Sequence, residues 1–407
     1  MEGVRPEAAV ADEPGMVLVR APRPWVAGID GGGTRTRCWV ASLDGTLLGR
    51  GESGPSNYMV VGAEAAARAL DEALRAALTE ARVRARTETG LSGGVRESQA
   101  ASATPSGGAP GTATGAPLAE TPTAICLGMA GADRPDDQRV LTEALAARGW
   151  QGWPLHWVND AAIVLAAGRT EGAVAALIAG TGSIVYAQAE TGADGESGPA
   201  VRVGGWGPIL GDEGSGYDLG RRALVAVLRA ADGRGPQTAL TEKILAELGL
   251  SSPFALPPLV YRGGLDRPRI AALSRIVVAC AQAGDEVALG LVRSGAAALA
   301  ELVITALRRL GRLDEPGVKV VVAGGLFADG SPMWEWVRQA LAELCPQASI
   351  RLIPLPVEPA VGAVLLALTR NSLARMSPSQ AWDLPGSGLF VRLRQSYEAW
   401  GTSASQL

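Results

Sequence analysis

The chain has 407 residues, more than one hydrophobic core usually supports, so we expect two domains or one domain with insertions. Its net charge is -4 and its pI is near 5.4, so it lacks the basic surface that nucleic acids and anionic membranes attract, and neither partner is expected. The four cysteines are scattered and there is one histidine, which argues against a zinc site or a disulfide framework.

The sequence favours neither a secreted nor a membrane-spanning protein. The most apolar region, residues 270–310, is interrupted by charges such as Arg275, Asp285 and Arg293, so we predict core helices there. The amino terminus is acidic and lacks the basic segment that precedes the apolar run of a signal peptide. We therefore expect a cytoplasmic protein.

The first half of the chain alternates short apolar runs with turn residues, which predicts a mixed α/β unit. Glycine-rich and Asp-Gly turns join the first three strands as hairpins, and alanine and leucine at helical spacing then predict a long helix. The predicted elements are strands 25–29, 38–41 and 46–49, helix 62–84, strand 123–128, helix 136–148, strand 155–158 and helix 161–167.

The second half repeats this order, so each half has the pattern β-β-β-α-β-α-β-α. A unit that is used twice predicts two facing α/β lobes with a central cleft between them. The predicted elements of the second half are strands 173–179, 183–189 and 201–203, a helix from about 215, strand 318–323, helix 332–344, strand 349–353 and helix 359–368.

Two segments lie outside the repeated pattern. Residues 87–122 are rich in Ser, Thr, Gly, Ala and Pro and bury too little apolar surface to offset the entropy of ordering, so a disordered insertion is expected. A helical insertion is expected at about 235–315. The predicted organisation is an N-terminal extension at 1–24, a first lobe at 25–170, a second lobe at 171–370 and a C-terminal tail at 371–407.

A glycine-rich hairpin loop joins the first two strands and carries the first chemical signal. Gly31, Gly32 and Gly33 let backbone N–H groups approach phosphate oxygens, and Thr34 adds a hydroxyl. Asp30 precedes them and could hold hydrated Mg²⁺. The alternative, that the glycines serve only the geometry of the turn, stays open.

An equivalent hairpin loop joins the first two strands of the second half. It consists of Gly180, Thr181, Gly182 and Ser183. Two such loops at matching positions predict that a polyphosphate is held from both sides. Neither lysine of the chain follows a glycine-rich loop, so a Walker-type site is not indicated.

Two other strand ends carry candidate residues. Gly324 and Gly325 follow a buried strand, where small residues allow a flat ring or a ribose to lie against the backbone. A turn that needs glycine for packing is the alternative. Asp160 ends a strand and opens a helix, at the edge where α/β sheets bind ligands, and it is our choice of general base. Its alternative role is a helix N-cap.

The densest glycine run surrounds one tryptophan and two carboxylates, a composition that suits a binding loop better than regular structure. Trp206, between Gly205 and Gly207, offers a face to a sugar ring, and Asp212 offers acceptors to sugar hydroxyls. Asn57, in a turn after the third strand, is a further polar candidate. Bonding to its own backbone is the alternative for Asn57.

These residues resemble the N-acetylglucosamine kinase and BadF/BadG/BcrA/BcrD-type ATPase family, within the actin, sugar kinase and Hsp70 superfamily. The resemblance extends over about residues 26–368, apart from the insertion, and implies two ribonuclease H-like (actin-like) lobes. The two hairpin loops are similar to the family's phosphate motifs, and residues 323–325 are similar to its adenosine motif. Residues 205–216 resemble the amino-sugar kinases in particular.

The resemblance implies an ATP-dependent kinase that phosphorylates a hydroxyl of N-acetylglucosamine, glucosamine or a related amino sugar. Asp160 would be its base, Thr34 and Thr181 would contact ATP, and Mg²⁺ and a homodimer are implied as well. The implied sugar contacts are Asn57, Gly205, Trp206, Gly207 and Asp212. Two alternatives stay open: an ATPase that activates a partner dehydratase through a cysteine-held iron–sulfur cluster, and a sugar sensor that binds without phosphorylating.

Overall fold

A computed structural model describes residues 22–88, 117–129, 131–132, 134–169, 171–189, 198–328, 330–373 and 388–404. Most of the predicted N-terminal extension and insertion lie outside these ranges. The described residues form two five-stranded sheets with helices packed against them.

The first sheet has the strand order β3-β2-β1-β4-β5. Strands β1, β2 and β3 are antiparallel neighbours, whereas β4 and β5 run parallel to β1. The elements of this lobe are β1 (Trp25–Gly31), β2 (Thr36–Ser42), β3 (Leu47–Ser53), α1 (Tyr58–Val61), α2 (Ala63–Glu88), β4 (Ala124–Met129), α3 (Pro135–Leu145) with a π-helical turn (Ala146–Trp150), β5 (Leu155–Asn159) and α4 (Asp160–Arg169).

Glycines in β3 explain why α2 lies so close to the first sheet. A Cβ at Gly49 or Gly51 would lie 2.0 Å from a carbonyl oxygen of α2, at Ala77 and Ala73 respectively. The alanine-rich face of the helix therefore meets strand backbone directly. The sequence thus encodes this packing twice, in the helix and in the strand beneath it.

The second sheet has the strand order β8-β7-β6-β9-β10. It matches the order β3-β2-β1-β4-β5 of the first sheet strand for strand. This confirms the predicted duplicated α/β fold. The elements are β6 (Ala175–Ala179), β7 (Ser183–Gln188), β8 (Ala200–Gly204), α5 (Gly216–Ala231), α6 (Ala239–Leu248), α7 (Leu256–Tyr261), α8 (Arg267–Ala272), α9 (Ser274–Gln282), α10 (Glu286–Leu310), β9 (Val318–Ala323), α11 (Met333–Leu344), β10 (Ile350–Pro354) and α12 (Pro359–Leu373).

Helices α6 to α10 occupy the segment in which a helical insertion was expected. Within the described part of the chain, α10 alone is long and apolar enough to cross a membrane by length and composition. It packs on the second sheet and buries one face, including Val292, Leu299 and Val303, in the second core. The prediction of core helices over this apolar region is therefore confirmed.

Helix α12 connects the two lobes. It follows β10 of the second sheet, yet it packs on β1 of the first, where a Cβ at Gly28 would lie 2.1 Å from the Val364 nitrogen. It also crosses α4, and a Cβ at Gly362 would lie 2.1 Å from the Ile163 carbonyl oxygen. Glycine at both positions allows backbone to approach backbone.

The disordered insertion predicted at 87–122 is too long at both ends. Helix α2 extends through Glu88. Near the other end, Arg23 N–H donates to the Pro117 carbonyl at 2.7 Å and Ala119 N–H donates to the Arg23 carbonyl at 2.9 Å. The composition of the segment concealed these main-chain pairings, which tie its end to the start of β1.

The predicted C-terminal tail contains a helix that the sequence analysis did not foresee, α13 (Gly388–Ala404). It packs on the first lobe, where Tyr397 and Trp400 meet Trp39 edge to face, with ring centroids 5.8 and 4.9 Å away. Leu47 N–H donates to the Ser396 hydroxyl at 3.0 Å. Helix α13 is therefore part of the first lobe's packing.

Candidate active site

The first hairpin loop, residues 30–34, connects β1 to β2. Gly32 N–H donates to the Arg35 carbonyl at 3.1 Å, and the Gly32 carbonyl accepts from the N–H groups of Ser56 and Asn57 at 3.0 and 3.2 Å. Beyond these bonds, Gly33 and the threonine that follows it form an exposed tip. A Cβ at Gly33 would meet nothing within 4 Å, so a ligand can reach this backbone.

Two carboxyl groups interact electrostatically near the base of this loop. Asp30 lies near the end of β1, and Asp160 directly follows β5 in the same sheet. Burial and then the charge of Asp160 raise the pKa of Asp30 to about 7, against the opposing effect of Arg37. Gly31, the last residue of β1, is packed so tightly that a Cβ would lie 2.2 Å from the sulfur of Met129.

The donor set at this position fits a hydrated Mg²⁺ ion. A partly buried carboxyl beside a second carboxyl is costly to ionise, and a bound cation would offset that cost. Among the residues that the structure describes, no group of three His, Cys, Asp or Glu side chains could enclose a metal by itself. Magnesium sites typically use one or two carboxylates together with substrate phosphates and water, which Asp30 at a phosphate loop would satisfy.

Asp160 is the first residue of α4. Ala161 N–H donates to Oδ1 of Asn159 and to Oδ1 of Asp160, each at 2.9 Å. The helix start is therefore capped by two adjacent side chains, so capping does not depend on Asp160 alone. Its role as a general base stays a prediction.

The second hairpin loop, residues 180–183, connects β6 to β7 at the position that matches the first. Gly180 N–H donates to the Gly182 carbonyl at 2.9 Å, which closes the turn, and Thr181 at its tip is exposed. The start of α5 is joined to it, because Gly216 N–H donates to the Gly180 carbonyl at 2.8 Å. The Ser183 hydroxyl donates to the Glu213 carbonyl at 2.7 Å.

The glycine pair after β9 lies beside the second hairpin loop. A Cβ at Gly180 would lie 3.8 Å from the Gly325 nitrogen. Gly324 has φ 103°, and a Cβ there would lie 2.3 Å from the Ala179 carbonyl oxygen, so both conformation and space require glycine. Gly324 and Gly325 are exposed, which leaves this backbone accessible to a ligand.

The glycine-rich run between β8 and α5 separates an exposed ring from a buried carboxylate. Trp206, between Gly205 and Gly207, is 66% exposed and lies 5.2 Å from the Arg202 guanidinium. Asp212 is buried, and its φ of 59° is the one positive value among the described non-glycine residues. Its carboxylate does not face solvent as a sugar acceptor would, because it is directed at the second hairpin loop.

The side-chain oxygen of Asn57 is buried and lacks a hydrogen-bond donor among the described residues. Its Oδ1 accepts no hydrogen bond from any described residue. A Cβ at Gly131 would lie 3.4 Å from this oxygen, which places Asn57 against the loop after β4. A buried acceptor without a donor is costly, and a ligand hydroxyl or amide would remove that cost.

The structure thus gathers the predicted residues into two groups, one at each sheet. Asp30 and Asp160 come together at the first hairpin loop, and Gly324 and Gly325 come together with the second. The sequence analysis missed Arg267, which donates to Asp212 from helix α8. No motif links these two residues along the chain, so only their contact in three dimensions reveals the pair.

Most of the chain has known relatives. A family model described as the BadF/BadG/BcrA/BcrD ATPase family matches residues 27–367. An N-acetylmuramic acid/N-acetylglucosamine kinase from Clostridium acetobutylicum is 32% identical over 84% of this chain and 98% of its own. An N-acetyl-D-glucosamine kinase from Dictyostelium discoideum is 31% identical over 84% of this chain and 97% of its own.

A solved structure agrees with these relatives. It is assigned as an N-acetylglucosamine kinase, from Chromobacterium violaceum, and matches with a TM-score of 0.59 and 25% identity, over 85% of this chain and 99% of that one. The resemblance inferred from the loops is therefore confirmed. On the extent of the family match and the identity to full-length relatives, the chain belongs to the BadF/BadG/BcrA/BcrD ATPase family.

Proposed function

We propose that the protein is an ATP-dependent kinase that phosphorylates a hydroxyl of an amino sugar. The observation that carries the proposal is the pair of matching glycine hairpin loops, the first of which has two carboxyl groups at its base. Full-length relatives named as kinases of N-acetylated amino sugars support the same activity.

Phosphoryl transfer needs positioning and charge neutralisation more than covalent help from the protein. Backbone N–H groups of the two hairpin loops, with the hydroxyls of Thr34 and Thr181, would hold the phosphates of ATP. Gly324 and Gly325 would accommodate the adenosine. Asp30 would hold Mg²⁺, which supplies positive charge between the phosphates when bound.

Asp160 would accept the proton of the attacking sugar hydroxyl, because it lies beside Asp30 at the carboxyl edge of the first sheet. Asn57 supports a sugar site through its buried oxygen without a donor. Trp206 offers an exposed ring face, and the backbone of Gly205 and Gly207 completes that side of the site.

The dehydratase activator is less well supported by the positions of the thiols. A cluster at a subunit interface needs cysteines at the surface, and all four cysteines are buried and form no disulfide: Cys38, Cys126, Cys280 and Cys345. Burial raises the pKa of the Cys38 thiol well above its usual range, which disfavours the thiolate that binds iron. We also propose that the protein forms a homodimer and that it is cytoplasmic.

A coupled assay of ADP release tests this function directly. Purified protein with ATP and Mg²⁺ should release ADP only when N-acetylglucosamine, N-acetylmuramic acid, glucosamine or a close relative is present. Glucose and mannose serve as comparison sugars, because one acetyl group is discriminated by pocket shape. ADP release that is independent of every sugar would contradict the proposal and favour an ATPase.

A further inference from the structure

One ion pair joins the helical insertion to the second hairpin loop. Arg267 opens helix α8, and its Nη2 donates to Oδ2 of Asp212 at 2.6 Å. The Asp212 side chain is 4% exposed, whereas the Arg267 side chain is 42% exposed. One partner is therefore fixed inside the protein while the other reaches a surface.

Asp212 is attached to the hairpin loop from the other side as well. Ser183 N–H donates to its Oδ1 at 3.3 Å. A Cβ at Gly182 would lie 3.0 Å from both carboxylate oxygens and 3.1 Å from the Arg267 Nη2. The guanidinium therefore lies directly against Gly182. The left-handed φ of Asp212 is an unfavourable conformation, and such strain is typical of residues that shape a site.

The two ends of this loop have different neighbours, which gives a bound nucleotide a direction. Gly180 lies beside Gly324 and Gly325, where the adenosine is proposed to bind. Gly182 lies beside Arg267. A nucleotide that extends along the loop from the adenosine end brings its terminal phosphate toward the arginine.

The two lysines of the chain lie elsewhere. Lys319 donates to the Glu171 carbonyl at 2.7 Å, from the start of β9 and not from its glycine end. Lys243 lies in α6, where its charge acts on Cys280. An arginine that keeps one donor on a buried carboxylate and directs the rest of its planar fork outward is suited to phosphate oxygens.

We propose that Arg267 binds the phosphoryl group that is transferred from ATP, and that Asp212 is the positioning residue that holds it there. This inference rests on the proposed kinase function. The sugar oxygen forms a bond to the γ-phosphorus, the bond from that phosphorus to the β,γ-bridging oxygen breaks, and its electron pair leaves with ADP. The hydroxyl proton passes to Asp160. Arg267 neutralises charge on the γ-phosphoryl oxygens throughout.

This assignment changes the role expected for Asp212. Both of its oxygens already accept a hydrogen bond, one from Arg267 and one from Ser183, and the side chain is almost fully buried. Such a carboxylate is better suited to positioning Arg267 than to contacting the sugar directly. Asp212→Asn should lower turnover by about tenfold, because the neutral amide holds Arg267 less firmly. The KM for the sugar should stay within about twofold of the wild-type value.

The test compares three arginine variants. Arg267→Lys keeps a cation for Asp212 but loses the planar guanidinium group, and Arg267→Gln removes the charge. Arg269→Gln is the matched control, because this arginine is in the same helix but donates to the Gly264 carbonyl, at 2.5 Å. Turnover should fall by about 10²-fold for both Arg267 variants and stay near the wild-type value for the control.

Nucleotide affinity separates a phosphate contact from a structural role. The Arg267 variants should bind a non-hydrolysable ATP analogue at least about tenfold more weakly while their affinity for ADP stays near that of wild type. Equal loss for both nucleotides, or normal turnover, would overturn the proposal. Should Arg267→Gln fold poorly because Asp212 is left unpaired, the double variant with Asp212→Asn replaces it.

Different measurements test the kinase function and the role of Arg267. A wild-type protein that shows no sugar-dependent ADP release would contradict the kinase. The ratio of the two nucleotide affinities would still decide whether Arg267 contacts the terminal phosphate, because that measurement needs no turnover. Normal sugar-dependent release in Arg267→Lys would overturn only the role of the arginine.

Discussion

The two hairpin loops occupy the same place in two sheets of identical strand order, yet their side chains differ. The first loop has a partly buried carboxyl at its base, Asp30, and an exposed tip with open space around Gly33. The second loop is enclosed by Asp212, Arg267 and the start of α5. The shared strand order gives both loops the same position, but the charged side chains around them differ.

This difference has a physical basis in what surrounds each loop. Among the described residues of the first lobe, only α1 and α2 lie between β3 and β4, and the cations that act on Asp30 are Arg37 and Arg35 at the hairpin itself. The second lobe has helices α6 to α10 there, and α8 brings Arg267 to Gly182. A nucleotide held between the lobes would therefore meet a carboxyl with its proposed metal on one side and a guanidinium on the other.

The largest expected effect comes from Asp160, near the first hairpin loop. Asp160→Asn keeps the shape of the side chain and its capping oxygen but removes proton acceptance, so turnover should fall by about 10²–10⁴-fold. Affinities for sugar and ATP should change little. Steady-state kinetics and calorimetric binding check this, and turnover within about threefold of wild type would leave Asp160 as a helix cap only.

Asp30→Asn should stabilise the ligand-free protein and lower its turnover. The folded-state pKa of Asp30 is about 7 against an ordinary value of 3.8, so the folded protein holds a proton that the unfolded chain has lost. In the ligand-free protein, stability therefore falls as pH rises through that window and stays reduced above it. The variant removes this penalty, which amounts to a few kcal/mol above about pH 7.

Thermal unfolding at about pH 8 and about pH 5, without nucleotide or metal, measures this effect. The gain in Tm from Asp30→Asn should be larger at the higher pH, and turnover should fall in the same variant because a carboxylate for the metal is lost. A gain in Tm that does not depend on pH would show that Asp30 is already ionised in the folded protein.

A pair of glycine substitutions compares the two loops directly. Gly182→Ala places a methyl group 3.0 Å from the Asp212 carboxylate, so it should lower the free energy of unfolding by about 1–3 kcal/mol. Gly33→Ala meets nothing within 4 Å and should change it by less than about 0.5 kcal/mol. Urea denaturation of the ligand-free proteins checks both values, and equal effects would mean that the loops are equally enclosed.

The smallest effect is expected from the insertion in the first lobe. Replacing residues 89–116 by a short Gly-Ser linker keeps α2 and the pairing of Arg23 with Pro117 and Ala119. Because longer polar loops cost little stability, Tm and turnover should stay near their wild-type values. A loss of turnover with an unchanged Tm would show that this segment acts at the site.

Much of the fold could be predicted from local pattern. Alternating and continuous apolar runs placed the strands to within a few residues, and the strand at 318–323 was predicted with its observed ends. The duplicated order followed from these elements. Helix α13 also left a signal, because Phe390, Leu393, Tyr397 and Trp400 have helical spacing, but the sequence analysis assigned no element to the tail.

The chemistry of the site was only partly predictable. Glycine loops and single carboxylates can be recognised along the chain, because their neighbours in sequence give them their meaning. The raised pKa of Asp30 depends on burial and on Asp160, which comes from another strand. The pairing of Asp212 with Arg267 depends on how α8 packs against α5. Properties that arise from such distant contacts are not encoded in any local motif.

The crossing of α4 and α12 has a consequence for motion. At Gly362 the backbone of one helix touches that of the other, and α12 is equally close to β1 at Gly28. Without intervening side chains that could exchange rotamers, the helices cannot slide past each other, but they can swivel about the contact. Opening and closing of the two halves would therefore be a hinge rotation whose pivot lies at Gly362, and a bulkier residue there would shift the resting angle between them.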